Sequence, residues 1–500
     1  MTYTSFFFFI FLLALAGLYF LLPLRWRWIA LLAGSVAFYL INALSAFPYL
    51  LAEALIAYGG ALLIRKKAAE DQKQTSRRLL LVVLIVIIGF LAVVKLVRFI
   101  RPDSGFIMPL GLSYYTFSTV GYVLDIYWKR YEPETNFLHF LLYVSFFPHI
   151  LQGPIPRFDR LGHQLFEGHR FEYRRVCFGL QLMLFGLFQK MVLADRLGIY
   201  VDAVFGNYQE QYGLPVIAAI FFYAIQIYTD FAGCVNIARG VSEIFGVYLE
   251  DNFRQPYFST SVEEFWRRWH MTLGGFFRDY VGMPVSVSKR VKSWSKAVRK
   301  KKGAEAGRHV VSLSALAVVW LCTGLWHGTG VNYLLWALWQ GGIIAIATVN
   351  KTRFQNMKAA LSIPDSSKLW HAFQVLRTFL LAGIIPRIIT RAPSVYAAAV
   401  MVKHSFSPLH ISQLTTNAGL KPYGWNLWHL GIAIAAMLIQ LAISLLKEHG
   451  VSIREKIAGF ILPARWAVYL AALFIVVLFG IYGPGYDAGN FVYMDFLQPI

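Results

Sequence analysis

Apolar positions in this chain fall in long unbroken blocks rather than at the three-to-four-residue spacing of a helix with one wet face. "FFFFIFLLALAGLYFLL" (6–22) and "LLLVVLIVIIGFLAVV" (79–94) hold no charge and approach the ~17–25 residues a helix needs to cross a bilayer. Similar blocks at 28–47, 48–64, 107–127, 176–193, 214–232, 310–327, 331–349, 371–390, 427–446 and 466–483 predict about twelve crossings. The first block lacks a charged leader, is too long for a signal-peptide core and is followed by further spans, so it reads as a retained span. No internal repeat or linker divides the chain, and 1–500 reads as one all-α integral-membrane domain.

Two stretches break the pattern. "FLHFLLYVSFFPHILQGPIP" (137–156) is apolar but carries Pro148, Gly153, Pro154 and Pro156, which interrupt helices. It is expected to dip into the membrane and return, facing an internal chamber, because irregular backbone survives at that depth only inside protein or beside water. "NFRQPYFSTSVEEFWRRWHMTLGGFFRDYV" (252–281) mixes charges with Phe and Trp throughout. "STSVEE" resembles a capped helix start. The pairs Glu263–Arg267 and Glu264–Arg268 stand at i,i+4 and would neutralise one another. Two readings follow: an interfacial helix with a tryptophan belt, or a segment that carries His270 and its neighbours into a polar chamber.

Composition agrees with the blocks. Only 15% of the 500 residues are charged and 57% are hydrophobic, against roughly 25% charged in soluble domains. The net charge of +21 raises nucleic acid as a partner, but the cations cluster between spans, in 65–78 and 288–309. Positive-inside bias makes these loops cytoplasmic, in contact with lipid headgroups, and nucleic acid is not expected. With both chain ends outside and 137–156 re-entrant, 351–358 and 447–456 also come out cytoplasmic. Cys177, Cys234 and Cys322 have no disulfide or metal spacing and read as small buried hydrophobes.

The chemistry concentrates around "LCTGLWHGTG" (321–330), where His327 sits in apolar sequence. Ionisable residues at membrane depth are costly and point to function, although a histidine bonded between helices is the plainer reading. A neutral imidazole can take the proton of a hydroxyl as that hydroxyl attacks a carbonyl. Trp326 offers a wall, and Gly328 and Gly330 leave room for a substrate to approach. Asp230 in "YTDFAG" needs a partner and is as readily structural, and His149 in "FFPHILQGP" could line the same chamber. No Walker loop, GxSxG elbow or HExxH motif competes.

Taken together, 252–281 and "TGLWHGTGVNYLLWALWQG" (323–341) resemble the membrane-bound O-acyltransferase family. "MPLGLSYYTFSTVGYVLDIY" (108–127), "SFFPHILQGPIPRF" (145–158) and "IQIYTDFAGCVNIARG" (225–240) extend the likeness over 108–345. Members of its alginate-type branch often carry a "GGNR"-like segment where this chain has "VGMPVSVSKRVKSW" (281–294). The resemblance implies tilted helices around a central funnel closed by re-entrant helices, in a multi-pass protein of the bacterial plasma membrane. It implies His327 and His270 as catalytic residues. Trp326, Gly328, Asn252, Arg267, Arg268 and Asp230 are the expected substrate-positioning residues. It implies no bound cofactor, an acyl thioester donor such as acetyl-coenzyme A, and an extracytoplasmic acetyltransferase partner. The expected reaction carries an acyl group across the membrane to hydroxyls of an extracellular polysaccharide. D-alanyl transfer to teichoic acid is the alternative within the family, and a membrane transporter the alternative outside it.

Overall fold

The computed structural model describes residues 1–101, 109–328, 330–483 and 486. The first two residues of the predicted 107–127 span, and Thr329 of the WHG stretch, lie outside the described residues. Among the described residues the chain is helical, and its one β-contact is an isolated antiparallel bridge between Phe253 and Trp269.

Among the described residues, nine helical runs are long and apolar enough to cross a membrane, including Lys73–Ile100, Tyr173–Gly206, Leu214–Ile244, Ala304–His327, Lys368–Arg391 and Leu427–Glu448. The run Leu24–Ala69 holds two helices, Arg27–Ala43 and Phe47–Ala69. With the shorter Phe6–Leu21 and Leu112–Tyr127, every predicted span is met by a helix. The fold is that of an all-α multi-pass membrane protein.

The basic stretches are not loops. Positions 65–78 form the end of Phe47–Ala69 and the start of Lys73–Ile100, and the cations of 288–309 build the helix Lys289–Lys302. Lys and Arg are good helix formers. Ser288 caps that helix by accepting from Val291 N at 3.4 Å, and Gly303 ends it at φ 90°, where a side chain would be strained.

The 137–156 segment is broken, as its prolines and Gly153 predict. Two short helices, Phe137–Ser145 and Phe147–Ile150, give way to irregular backbone, and protein groups bond to several of its carbonyls and amides. Tyr3 Oη donates to the carbonyls of Phe147 (3.1 Å) and Pro148 (3.0 Å), and Tyr143 Oη donates to that of Pro156 (3.0 Å). Ile155 N donates to Thr272 Oγ1 at 3.0 Å, which ties this segment to the second irregular stretch.

Candidate functional site

The 252–281 stretch folds as two short helices, Val262–Arg268 and Met271–Phe277. Ser261 caps the first by accepting from Glu264 N at 3.1 Å. Both predicted pairs form, Arg267–Glu263 at 3.4 Å and Arg268–Glu264 at 2.7 Å. Between the helices the chain turns at His270, which adopts φ 46°, ψ 54°. A left-handed non-glycine residue costs roughly 1–2 kcal/mol and recurs at functional sites.

Asn252 holds that turn. Its carbonyl accepts from Met271 N at 3.0 Å, and its Oδ1 accepts from Thr272 N (3.0 Å) and Thr272 Oγ1 (2.9 Å). The same Oδ1 lies 3.3 Å from His270 Nδ1. Oδ1 can only accept, so Nδ1 carries the proton and Nε2 presents a lone pair. Burial pushes the His270 imidazole down to about 3, so the ring is neutral at physiological pH.

His327 ends the helix Ala304–His327 and is buried. Trp326 links the two histidines: its ring centroid lies 5.9 Å from that of His270 and 4.8 Å from that of His327. Trp336 closes the other side of His327 at 4.9 Å. The cations whose field reaches His327 are Lys95 and Arg387. Lys95 donates to the Trp326 carbonyl and lies over the Trp326 ring at 5.7 Å.

Two cavities lie near this pair. A small cavity is lined by Trp266, Trp269, His327, Tyr333, Trp336 and Arg387. A larger one of about 800 Å³ reaches Asn252 and is amphipathic. One end holds Arg239, Asp251, Arg254, Arg268, Lys447, Glu448 and Arg454, five cations against two acids, and the rest is mainly Leu, Ile, Val and Phe. Lys447, Glu448 and Arg454 belong to the stretch predicted to be cytoplasmic. Lys95, His327 and Arg387 each lie near the C-terminal end of a helical run whose N-terminal end follows basic sequence, at 65–78, 288–309 and 351–358.

Of the expected positioning residues, Trp326 and Asn252 stand in the site. Arg268 lines the large cavity and bonds Glu448 at 2.8 Å as well as Glu264. Arg267 does not join them, because its side chain is 66% exposed and paired with Glu263. Asp230 is fully buried but bonds Lys190 at 2.8 Å, and Lys190 also holds Asp195 at 2.7 Å. That triad satisfies buried charges within the bundle, so Asp230 is a packing partner rather than a positioning group. The room expected over Gly328 is taken: a Cβ there would meet the Tyr333 ring at 2.2 Å. His149 is buried with Nε2 2.9 Å from the Tyr143 carbonyl and belongs to the broken 137–156 segment.

Lys95 and Arg387 went unremarked in the sequence. Each is a cation at the end of, or within, an apolar block, and the cost of such a charge was the signal that could have found them.

Residues 129–298 match the family described as MBOAT, membrane-bound O-acyltransferase family; His270 lies inside that range and His327 beyond it. The chain is 30% identical over 301 residues to a probable alginate O-acetylase of Pseudomonas syringae pv. tomato, covering 60% of this chain and 52% of that protein. It is 28% identical over 414 residues to the Azotobacter vinelandii protein of the same description, covering 80% and 77%. A teichoic acid D-alanyltransferase of Bacillus subtilis is 28% identical over 250 residues, covering 48% and 58%. The chain thus spans about half the length of the Pseudomonas relative it matches.

Proposed function

Starting from a chain that belongs, through residues 129–298, to the membrane-bound O-acyltransferase family, we propose that it moves an acyl group, acetyl in the first instance, from a cytoplasmic thioester to a hydroxyl on the outer side. One observation carries this reading. Two buried histidines share one tryptophan wall, with a large charged cavity that reaches Asn252 and a small cavity lined by His327 and Arg387.

The larger cavity suits a thioester donor such as acetyl-coenzyme A. Its excess of cations answers the phosphates, and its inner end reaches Asn252 and hence His270. His327 acts as general base. It takes the hydroxyl proton as the acceptor oxygen bonds to the thioester carbonyl carbon. The tetrahedral intermediate then collapses, the carbon–sulfur bond breaks, and the thiolate leaves and takes the proton from the His327 imidazolium, which returns to neutral. His270, held neutral with its Nδ1 proton on Asn252, offers Nε2 only as a hydrogen-bond acceptor, so it orients the reacting groups rather than stabilising the oxyanion. The small cavity beside His327 takes the hydroxyl of an extracytoplasmic acceptor or partner, with a hydroxyl-bearing envelope polymer as the final product.

The test is ester-linked acetate and D-alanine released by mild base from the envelope and exopolysaccharide. A deletion strain is compared with the same strain carrying wild type or His327→Ala. Acetate lost on deletion and restored only by wild type supports the reading. D-alanine following that pattern would reassign the acyl group. No change in either, with the protein well expressed, would overturn acyl transfer and favour a transporter.

A further inference from the structure

Arg387 is 4% exposed and sits in the last part of the Lys368–Arg391 run, in the wall of the small cavity beside His327. Its guanidinium carbon lies 4.7 Å over the Trp269 ring. A guanidinium held by its face keeps its edge available for hydrogen bonds. Nε and Nη2, both buried, make no hydrogen bond, and these two nitrogens form one edge of the planar group. Other buried arginines differ. Arg196 leaves only Nε unbonded, its Nη2 donating to the Phe479 carbonyl at 2.6 Å. Arg391, one turn beyond on the same helix and only partly buried, pairs with Asp202 at 2.5 Å. Among the described residues no carboxylate lies within ion-pair distance of Arg387.

A buried cation without a counter-charge is costly, and here the cost falls beside the proposed general base. Two parallel N–H donors on one edge match two oxygens of a carboxylate or phosphate and are poorly matched to a neutral hydroxyl. Lys95, bound to the Trp326 carbonyl, adds a second positive charge on the same side. The site around His327 is therefore electrostatically prepared for an anion that no described residue supplies.

We propose that Arg387 is a specificity-determining residue: its Nε–Nη2 edge binds a carboxylate or phosphate on the acceptor whose hydroxyl is acylated at His327. This rests on the acyl-transfer reading for the acceptor's role, but the anion site can be tested without turnover.

The test measures binding of three probes of equal length to the full chain in detergent by ligand-observed NMR: an oligouronate, a glycerol phosphate oligomer and a neutral oligoglucan. Wild type is expected to bind at least one charged probe more tightly than the glucan. Preference for the oligouronate identifies a carboxylate source, and preference for the phosphate oligomer a phosphate source. Arg387→Gln should weaken the favoured probe by about tenfold or more, the scale of a lost charge-assisted pair, and leave the glucan unchanged. Arg387→Lys, which keeps the charge but not the fork, should fall between and guards against misfolding of the glutamine variant. The proposal fails if wild type binds the charged probes no better than the glucan, if both variants keep full affinity, or if all three probes weaken together. His327→Ala should retain binding. Selective anion binding without any acyl transfer by wild type would sink the acyltransferase reading while leaving the anion site standing.

Discussion

Gly328→Ala isolates the packing of the small cavity beside His327 from backbone conformation. Gly328 has φ −176°, an extended value that alanine adopts without strain, so any effect is steric. The added Cβ would stand 2.2 Å from Tyr333 Cε2 and 2.3 Å from Cδ2. The ring has to retreat by about 1.2 Å to reach ordinary contact at 3.4 Å, and overpacking of this kind costs typically 1–3 kcal/mol. Tyr333 is buried and lines the His327 cavity, so its retreat changes the space in which the acceptor must sit. A 1 Å misplacement can cost about a hundredfold in rate. The expected result is a folded protein with transfer reduced on the order of a hundredfold. Gly330→Ala is the control: its Cβ would meet Tyr333 Cδ2 at 3.9 Å, an ordinary contact, and activity should stay within about twofold of wild type by the same steric reasoning. Acyl transfer by the two variants, normalised to folded protein by size-exclusion profile, decides the matter. Equal activity in both would refute the placement of Tyr333 against Gly328.

Four further outcomes follow from the geometry. His270 is held neutral in the fold, down to about 3, so the unfolded state binds more protons below ~6.5 and stability falls with acidification. At pH 5 the loss is about 2 kcal/mol, and thermal melts in detergent from pH 7 to 5 should show a slope that His270→Asn reduces. Arg267→Ala should be silent in stability and activity, since an exposed i,i+4 pair contributes only about 0.3–0.5 kcal/mol. Arg268→Ala, which frees Glu448 at the cavity end, should raise the donor KM by about tenfold, the scale of one charge-assisted bond. Lys190→Met leaves Asp195 and Asp230 without their shared cation and should destabilise by roughly 3–5 kcal/mol, read as lost yield and melting temperature with little change in KM.

Local rules carried much of the fold. Span positions follow from charge-free block length, the broken 137–156 segment from its prolines and Gly153, and the Ser261 cap from the acids that follow it. These are properties of neighbouring residues. The site depended on contacts between distant parts of the chain. Nothing local ties Asn252 to His270, because the link runs through a left-handed turn and the bridge from Phe253 to Trp269. The surroundings of Asp230 and Arg267 were hidden for the same reason: they are set by Lys190 and by solvent exposure, which hydropathy does not report. Gly328 was read as open space, whereas Tyr333, five positions on, folds back over it.

The central claim is that an acyl group passes from an inner thioester to an outer hydroxyl by way of His327. It is tested most directly in sealed proteoliposomes with radiolabelled acetyl-coenzyme A on the side of the Lys447–Arg454 cavity and a hydroxylated acceptor on the other. Wild type should place base-labile label on the acceptor side, and His327→Ala should lower that rate by roughly 10²–10⁴-fold, as loss of a general base does. If His327→Ala kept more than about a tenth of the wild-type rate, His327 would not be the base.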